Sequence, residues 1–227
     1  MFDFNDKRRL SPVLHPVSAG VSSVCIFGAD RKPPHISKEN NGYEAFLWRP
    51  YLERQWGREN SPLLLFVLMN PSSANAAYDD NSTRRCLDIA KRHGFGGMII
   101  TDIWALRSTG NERLLSEPGA AGGNMSYLQI FTTGGIDTGG EYYHQLMTLK
   151  DNLDFIAAAL KNPRVTKVYC GWGEHKEPDE RQRLKETAAL LRNSKKPLVC
   201  ASQNEDGSPK YVLYTPVGAP LVPFEAD

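Results

Sequence analysis

The sequence lacks both a long hydrophobic run and an excess of charge of one sign. A helix that spans a bilayer needs ~20 consecutive apolar residues, and apolar runs such as Leu63–Met69 are far shorter. The 27 Lys and Arg residues nearly balance the 26 Asp and Glu residues, so the net charge is +1. This balance excludes a strong overall attraction to nucleic acid and leaves only a local basic face open. The first residues, MFDFNDKRRLSP, carry charges with no apolar stretch after them, so we expect neither a secretory signal nor membrane association.

Cysteine is scarce and its spacing is wrong for a disulfide framework or a metal site. The four cysteines are far apart in the sequence and form no CxxC pair: Cys25, Cys86, Cys170 and Cys200. The five histidines are equally scattered. We therefore expect buried, reduced thiols in a cytoplasmic protein, with no metal site and no cofactor.

The usual glycine-rich phosphate loops are missing as well. No GxGxxG follows a strand-like run, and neither GxxxxGK[ST] nor the nucleophile motif GxSxG occurs. These absences exclude the common dinucleotide-binding, P-loop and α/β-hydrolase sites.

Strand-like and helix-like segments alternate through the chain. The predicted core strands are Leu63–Met69, Met98–Trp104, Val165–Cys170 and Pro197–Ala201, and the predicted helices are Asp80–His93, Asp151–Lys161 and Glu177–Asn193. The first of these strands is apolar at every residue, as in a parallel strand that is covered on both faces. The alternation predicts an α/β protein, a three-layer α/β/α fold with a four-stranded, mainly parallel central sheet.

The remaining segments suggest one domain with additions. Residues 1–20 are predicted to be an irregular N-terminal arm, and residues 21–227 a single α/β domain. Val21–Phe27 and Tyr43–Trp48 have the pattern of an N-terminal β-hairpin. Gly and Thr are abundant around residues 108–150, which we interpret as an insertion or a mobile flap over one rim.

Polar and aromatic residues follow all four predicted core strands. Ligands bind at the carboxyl ends of the strands in open parallel sheets. Tryptophan offers a stacking face there, and amides offer paired donors and acceptors. The sequence therefore predicts a site for a planar heterocycle. Its candidate binding residues are Pro71, Ser72, Ser73, Trp104, Arg107, Trp172, Gly173, His175, Ser202, Gln203, Asn204 and Asp206, with Asn70 as a candidate catalytic residue.

Most of these residues also have a plain structural explanation. Asn70 is either an ordinary turn residue before Pro71, or an amide that the proline holds in the cleft. Trp104 and Trp172 either belong to the core or stack on a ligand.

The charged residues beside this turn are equally open to two interpretations. Asp79 and Asp80 either cap the following helix or take part in catalysis. Arg84 and Arg85 either lie on a solvated helix face or contact a phosphate.

Four segments together resemble a bacterial and phage family known as a conserved domain of unknown function. They are FVLMNPSSANAAYDDNSTRRC, GFGGMIITDIWALRST, VYCGWGEH and SQNEDGSPKYVLYTP. The resemblance runs from about Tyr43 to Phe224. Ser73 stands where the family usually has Thr, Asn75 where it has Asp, and Asn81-Ser82 where it has Pro-Thr.

That family in turn resembles the uracil-DNA glycosylase superfamily. Asn70-Pro71 is similar to the Asn-Pro-Gly of the mismatch-specific branch, where the Asn positions a water. Trp172-Gly173 and the loop from Ser202 also correspond to superfamily motifs. The resemblance implies a uracil-DNA glycosylase-like fold, DNA or a nucleobase as partner, and N-glycosidic bond hydrolysis that rests on Asn70 with Asp79 or Asp80.

One departure separates the sequence from a working glycosylase. The loop from Ser202 contains no His to stabilise the leaving base, and the amide of Asn70 does not titrate. A non-catalytic nucleic-acid- or nucleotide-binding module is therefore the alternative hypothesis. A third is a small-molecule or partner-binding protein from a phage or mobile element. A monomer is compatible with each of them.

Overall fold

The computed structural model describes residues 13–31, 46–108, 125–175, 178–216 and 218–226. The strands in these ranges are β1 (His15–Pro16), β2 (Ser22–Ala29), β3 (Trp48–Gln55), β4 (Leu63–Leu68), β5 (Tyr78–Asp79), β6 (Gly97–Asp102), β7 (Tyr127–Thr133), β8 (Val165–Cys170), β9 (Leu198–Cys200) and β10 (Val222–Pro223). The α-helices are α1 (Asn81–Arg92), α2 (Glu141–Leu146), α3 (Asn152–Lys161) and α4 (Pro178–Asn193), and a 3₁₀-helix spans Val212–Tyr214.

The main sheet is mixed and, within the described residues, has eight strands in the order β10-β9-β8-β4-β6-β3-β2-β7. Strand β4 pairs parallel with β6 and β8, and β8 pairs parallel with β9. The pairs β10–β9, β2–β3, β2–β7 and β3–β6 are antiparallel. The predicted four-stranded, mainly parallel three-layer α/β/α fold of uracil-DNA glycosylase type is therefore wrong.

The N-terminal hairpin causes much of this difference. Its strand β3 pairs antiparallel with β6, with Leu52 opposite Ile100, so the hairpin is part of the main sheet. Its strand β2 then pairs with β7, with Cys25 opposite Phe131. Strand β7 belongs to the Gly/Thr-rich region that we predicted to be an insertion.

The second hairpin strand also lies further along the chain than predicted. Residues 43–45 are outside the described ranges, and β3 runs from Trp48 to Gln55. This strand contains Arg49, Glu53 and Arg54, and all three are buried. A buried strand is normally identified by its apolar residues, and charged residues normally indicate an exposed segment. The three charged residues therefore make β3 hard to identify from its hydrophobic pattern.

The predicted core strands and helices are confirmed in position, with shifts of a few residues at their ends. Helix α1 begins after Asp80, whose side chain accepts a hydrogen bond from Thr83 N as predicted for an N-cap. The helix ends at His93, and Gly94 follows with φ +78°. Helix α1 packs in an apolar cluster on one face of the sheet, and α2, α3 and α4 contribute to a second cluster.

Two further predictions fall partly outside the described residues. Of the N-terminal arm, residues 1–12 are not described, while His15–Pro16 pairs antiparallel with Tyr78–Asp79. Of the Gly/Thr-rich region, residues 109–124 are not described.

All four cysteines are buried and free. No helix in the described ranges is long and apolar enough to cross a membrane.

Candidate functional site

An open cavity of about 740 Å³ lies where β4 and β8 end and α1 begins. Because β4, β6, β8 and β9 are parallel neighbours, their carboxyl ends meet at this edge of the sheet. The lining residues are Met69, Asn70, Ser72, Asp80, Asn81, Ser82, Ser108, Trp172, Gly173, Glu174, His175, Asn204, Lys210, Tyr211, Leu213 and Tyr214.

The cavity brings together part of the predicted site. The predicted residues that line it are Asn70, Ser72, Asp80, Trp172, Gly173, His175 and Asn204. The predicted residues outside its lining are Pro71, Ser73, Asp79, Arg84, Arg85, Trp104, Arg107, Ser202, Gln203 and Asp206.

Asn70 fastens the turn after β4. Its Nδ2 donates to the carbonyl oxygen of Ser108 at 2.7 Å and to that of Pro71 at 3.3 Å. The Ser108 N–H returns a hydrogen bond to the Pro71 carbonyl at 2.8 Å. The amide nitrogen is thus used by the fold, and the Oδ1 atom, which accepts no hydrogen bond from the described residues, is the one that can meet a ligand.

Asp80 holds the same turn from the other side. Its Oδ1 accepts from Thr83 N at 2.9 Å, and its Oδ2 accepts from Ser73 N at 3.2 Å and Ala74 N at 3.1 Å. The side chain is 4% exposed. Its carboxylate therefore joins the turn to the start of α1, which supports the capping interpretation of this residue.

Asp79 points into the protein, to an arginine of the hairpin. Its Oδ1 accepts from Arg54 Nε at 3.0 Å and from Arg54 Nη2 at 2.8 Å. The Arg54 guanidinium also donates to the Asn75 carbonyl at 2.6 Å and to Ser23 Oγ at 2.5 Å. Both charged side chains are buried, so this pair fixes the loop between β4 and α1 onto the sheet.

A second buried ion pair lies beneath the turn. Arg49 Nη2 donates to Asp102 Oδ2 at 3.2 Å, and Arg49 Nη1 donates to the Ala74 carbonyl at 3.2 Å. Burial raises the pKa of Asp102 to about 6, even though Arg49 acts to lower it. The same ion pair raises the pKa of Arg49, so the guanidinium stays charged.

The three arginines that we predicted to bind a ligand, Arg84, Arg85 and Arg107, lie outside the cavity lining. Arg107 Nε donates to the Ser72 carbonyl at 3.2 Å, and the guanidinium carbon lies 5.2 Å from the centre of the Phe27 ring. Arg84 is exposed and Arg85 is half-buried on α1. Arg107 supports the turn from behind, and a ligand contact by Arg84 or Arg85 stays a prediction.

The two tryptophans have different surroundings. Trp172 lines the cavity and packs edge-on against Phe224, with ring centres 5.7 Å apart. Trp104 lies outside the cavity lining, and its ring is 6.1 Å from that of His175. Both tryptophans are 6% exposed and belong to the same buried core cluster. His175 Nε2 and the Trp172 carbonyl are hydrogen-bonded at 3.0 Å. Trp172 therefore borders the cavity from within the core, while Trp104 supports the residues behind it.

Sequence reasoning missed the aromatic side of the cavity. Tyr211 and Tyr214 pack edge-on with ring centres 5.8 Å apart, and Tyr214 is 76% exposed. The Tyr211 hydroxyl is 3.0 Å from Ser82 Oγ, which joins this side to the start of α1. Burial raises the pKa of Tyr211 to about 12, so its hydroxyl keeps its proton at neutral pH. The sequence signal for this side is the run Tyr211-Val-Leu-Tyr214, which follows the last predicted core strand and is not among the candidate site residues above.

The loop after β9 is a small, well-bonded hairpin. Gln203 pairs with Pro209, and the N–H of Lys210 donates to the Ser202 carbonyl at 2.9 Å. Asp206 Oδ1 accepts from Ser208 N at 3.0 Å inside the loop. Asn204 and Lys210 face the cavity, whereas Ser202, Gln203 and Asp206 lie outside its lining.

A family model matches residues 49–211 of the chain. The chain belongs to the family described as Protein of unknown function (DUF1643). This match confirms the resemblance to a domain of unknown function, and it includes β3, the turn at Asn70, α1 and the loop that reaches Tyr211. No curated protein and no solved structure matches the chain. The DUF1643 comparison names no substrate, and it does not support the further resemblance to uracil-DNA glycosylases.

The described residues also contain no group of three or more His, Cys, Asp or Glu that could hold a metal ion. The cavity lining supplies aromatic rings, amides, hydroxyls and three charged side chains: Asp80, Glu174 and Lys210.

Proposed function

We propose that the cavity binds a nucleobase or a nucleoside. The observation that carries the proposal is that aromatic rings and amides line the same cavity. Tyr211 and the exposed Tyr214 supply the accessible rings, with the buried Trp172 bordering the same cavity, and Asn70 and Asn204 supply the amides. A base has a flat π-face and an edge of donors and acceptors, and these two kinds of side chain complement both features.

The size of the cavity fits this class of ligand. Its volume of about 740 Å³ lies within the range of small-molecule sites, which is roughly 300–1,000 Å³. Its position at the carboxyl ends of parallel strands is also where such ligands bind in sheets of this kind.

Excision of the base is the catalytic form of the same proposal. N-glycosidic hydrolysis needs a group that activates water, and both carboxylates predicted for this role are engaged in fixing the turn. Glu174 favours the catalytic form, because it is an exposed carboxylate in the cavity lining. If the protein is a hydrolase, Glu174 is our candidate general base, with Asn70 Oδ1 helping to hold the water.

The non-catalytic nucleic-acid-binding alternative has less support. It relies on Arg84 and Arg85, which lie outside the cavity lining, and on a chain whose net charge is +1.

Binding is tested by thermal shift and calorimetry with free bases and nucleosides. Tyr214→Ala is the informative variant, because its side chain is 76% exposed and its loss should leave folding intact. Stacking on one ring is worth about 1–3 kcal/mol, so affinity should fall by roughly 5- to 100-fold. Tyr78→Ala is the matched control, since Tyr78 is 38% exposed and lies outside the cavity lining.

Excision is tested on the same ligands and on oligonucleotides that carry uracil, mismatched thymine or modified pyrimidines. Released base and abasic sites are measured for the wild type and for Glu174→Gln. Release by the wild type that Glu174→Gln abolishes supports the hydrolase. Binding without release leaves a binding protein, and no binding of any base or nucleoside overturns the proposal.

A further inference from the structure

We infer that Asp80 makes the cavity selective for unphosphorylated ligands, so that it takes a base or a nucleoside and rejects the corresponding nucleotide. This inference rests on the proposed function. It concerns a residue that the sequence suggested for catalysis and that the structure uses as a hydrogen-bond acceptor.

The first step is the convergence of backbone N–H groups on one point. Ser73 N, Ala74 N and Thr83 N all direct their hydrogens to the carboxylate of Asp80, at 3.2, 3.1 and 2.9 Å. N–H groups that converge from a loop and a helix N-terminus form the usual backbone cradle for a phosphate. In this chain the anion in the cradle is the side chain of Asp80. Ser73, Ala74 and Thr83 lie outside the cavity lining, so Asp80 is the member of this group that a ligand meets.

The second step is the charge of the lining. Asp80 and Glu174 border the cavity, and Lys210 is the single lysine or arginine among the described lining residues. A phosphate carries a charge near −2 at neutral pH. Like unit charges about 4 Å apart in water repel by about 1 kcal/mol, so a carboxylate in contact with the phosphate should lower its affinity by about fivefold or more.

The third step concerns nucleic acid. The tip of the loop after β9 carries Glu205 and Asp206, and both are exposed. A loop that approaches a duplex needs a positive surface against the phosphates, and this tip has the opposite charge. The same electrostatics that exclude a nucleotide therefore disfavour a DNA backbone next to the cavity.

The experiment compares nucleosides with their 5′-monophosphates by calorimetry, and adds inorganic phosphate in a thermal-shift assay. The main variant is Asp80→Ser, because serine keeps the N-cap acceptor for Thr83 N while its shorter side chain vacates the position beside Ser73 N and Ala74 N. Asp88→Ser is the matched control, since it removes one exposed carboxylate of α1 outside the cavity lining.

We expect the wild type to bind the monophosphate about tenfold or more weakly than the nucleoside. We expect phosphate to raise the melting temperature of Asp80→Ser while leaving the wild type and Asp88→Ser unchanged. Equal or tighter binding of the monophosphate by the wild type overturns the inference, as does phosphate stabilisation of the wild type that matches that of Asp80→Ser.

A second variant and the phosphate assay test the inference even if Asp80→Ser does not fold or no nucleoside binds. If Asp80→Ser does not fold, Glu174→Gln takes its place, because that substitution leaves the three backbone hydrogen bonds intact. Glu174→Gln should reduce the ratio of the monophosphate Kd to the nucleoside Kd about fivefold. An unchanged ratio of the two Kd values counts against the inference. If no base or nucleoside binds at all, the proposed function fails, while the phosphate arm still decides whether Asp80 excludes anions.

Discussion

Replacing Asp80 with alanine should be among the most damaging substitutions near the cavity, although the residue lies at a predicted catalytic position. Its carboxylate accepts three backbone hydrogen bonds and is 4% exposed. Loss of the N-cap bond to Thr83 N costs about 1 kcal/mol. The N–H groups of Ser73 and Ala74 are left without their acceptor, at about 1–2 kcal/mol each. The expected loss in the free energy of unfolding is therefore about 3–5 kcal/mol.

Urea denaturation at neutral pH measures this loss for Asp80→Ala, Asp80→Ser and Asp88→Ala. Serine restores the N-cap, so Asp80→Ser should recover about 1 kcal/mol of what alanine loses. Asp88 is exposed on the same helix, and its substitution should change stability by about 0.5 kcal/mol or less. An Asp80→Ala variant within about 1 kcal/mol of the wild type would refute the structural role that we assign to this carboxylate.

Three further predictions concern polar side chains at or near the turn after β4. Asp79→Ala should lower stability by about 3–5 kcal/mol, because it leaves the fully buried guanidinium of Arg54 without its ion-pair partner; a loss below about 1 kcal/mol in urea would contradict this. Since burial raises the pKa of Asp102 from 3.8 to about 6, its contribution to stability is present at low pH and is lost as the pH rises through 6. The stability difference between the wild type and Asp102→Asn should therefore fall by about 2 kcal/mol from pH 4 to pH 7, and a flat or rising difference would show that the sign is wrong. Asn70→Ala should cost about 1 kcal/mol through its lost bond to the Ser108 carbonyl and should also weaken ligand binding, whereas a change in stability alone would make Asn70 a turn residue only.

The elements that sequence reasoning found are those whose stability is local or purely hydrophobic. Strand β4 is apolar at every position. Helix α1 has an apolar stripe, an N-cap residue directly before it and a glycine directly after its C-cap. Strand β3 was misplaced because Arg49, Glu53 and Arg54 are buried in it. The ion-pair partners of the two arginines lie tens of residues away in the chain, Asp102 for Arg49 and Asp79 for Arg54, so a local pattern contains no sign of them.

The prediction of the sheet topology was wrong for a related reason. Strand β7 lies in a region rich in glycine and threonine, and its pairing with β2 joins segments about a hundred residues apart. Periodicity indicates that a segment is extended, but it does not say which edge of the sheet receives it. The predicted separate hairpin and the predicted insertion are both parts of one mixed sheet.

The sequence predicts the location of the candidate site better than it predicts which side chains line it. The rule that ligands bind at the carboxyl ends of parallel strands selected Asn70, Trp172 and Asn204, and all three line the cavity. It could not separate side chains that face the cavity from those that support it, such as Asp79. It also could not find Tyr211 and Tyr214, because a hairpin loop separates them in the chain from the last parallel strand.

The central claim is that the cavity binds a base through its aromatic side. Calorimetry of the wild type and of Tyr214→Ala with a panel of free nucleosides tests it most directly, with Tyr78→Ala as the control. We expect at least one nucleoside to bind the wild type and Tyr78→Ala alike, and to bind Tyr214→Ala roughly 5- to 100-fold more weakly. Binding that is the same in all three proteins, or absent from all three, would contradict it.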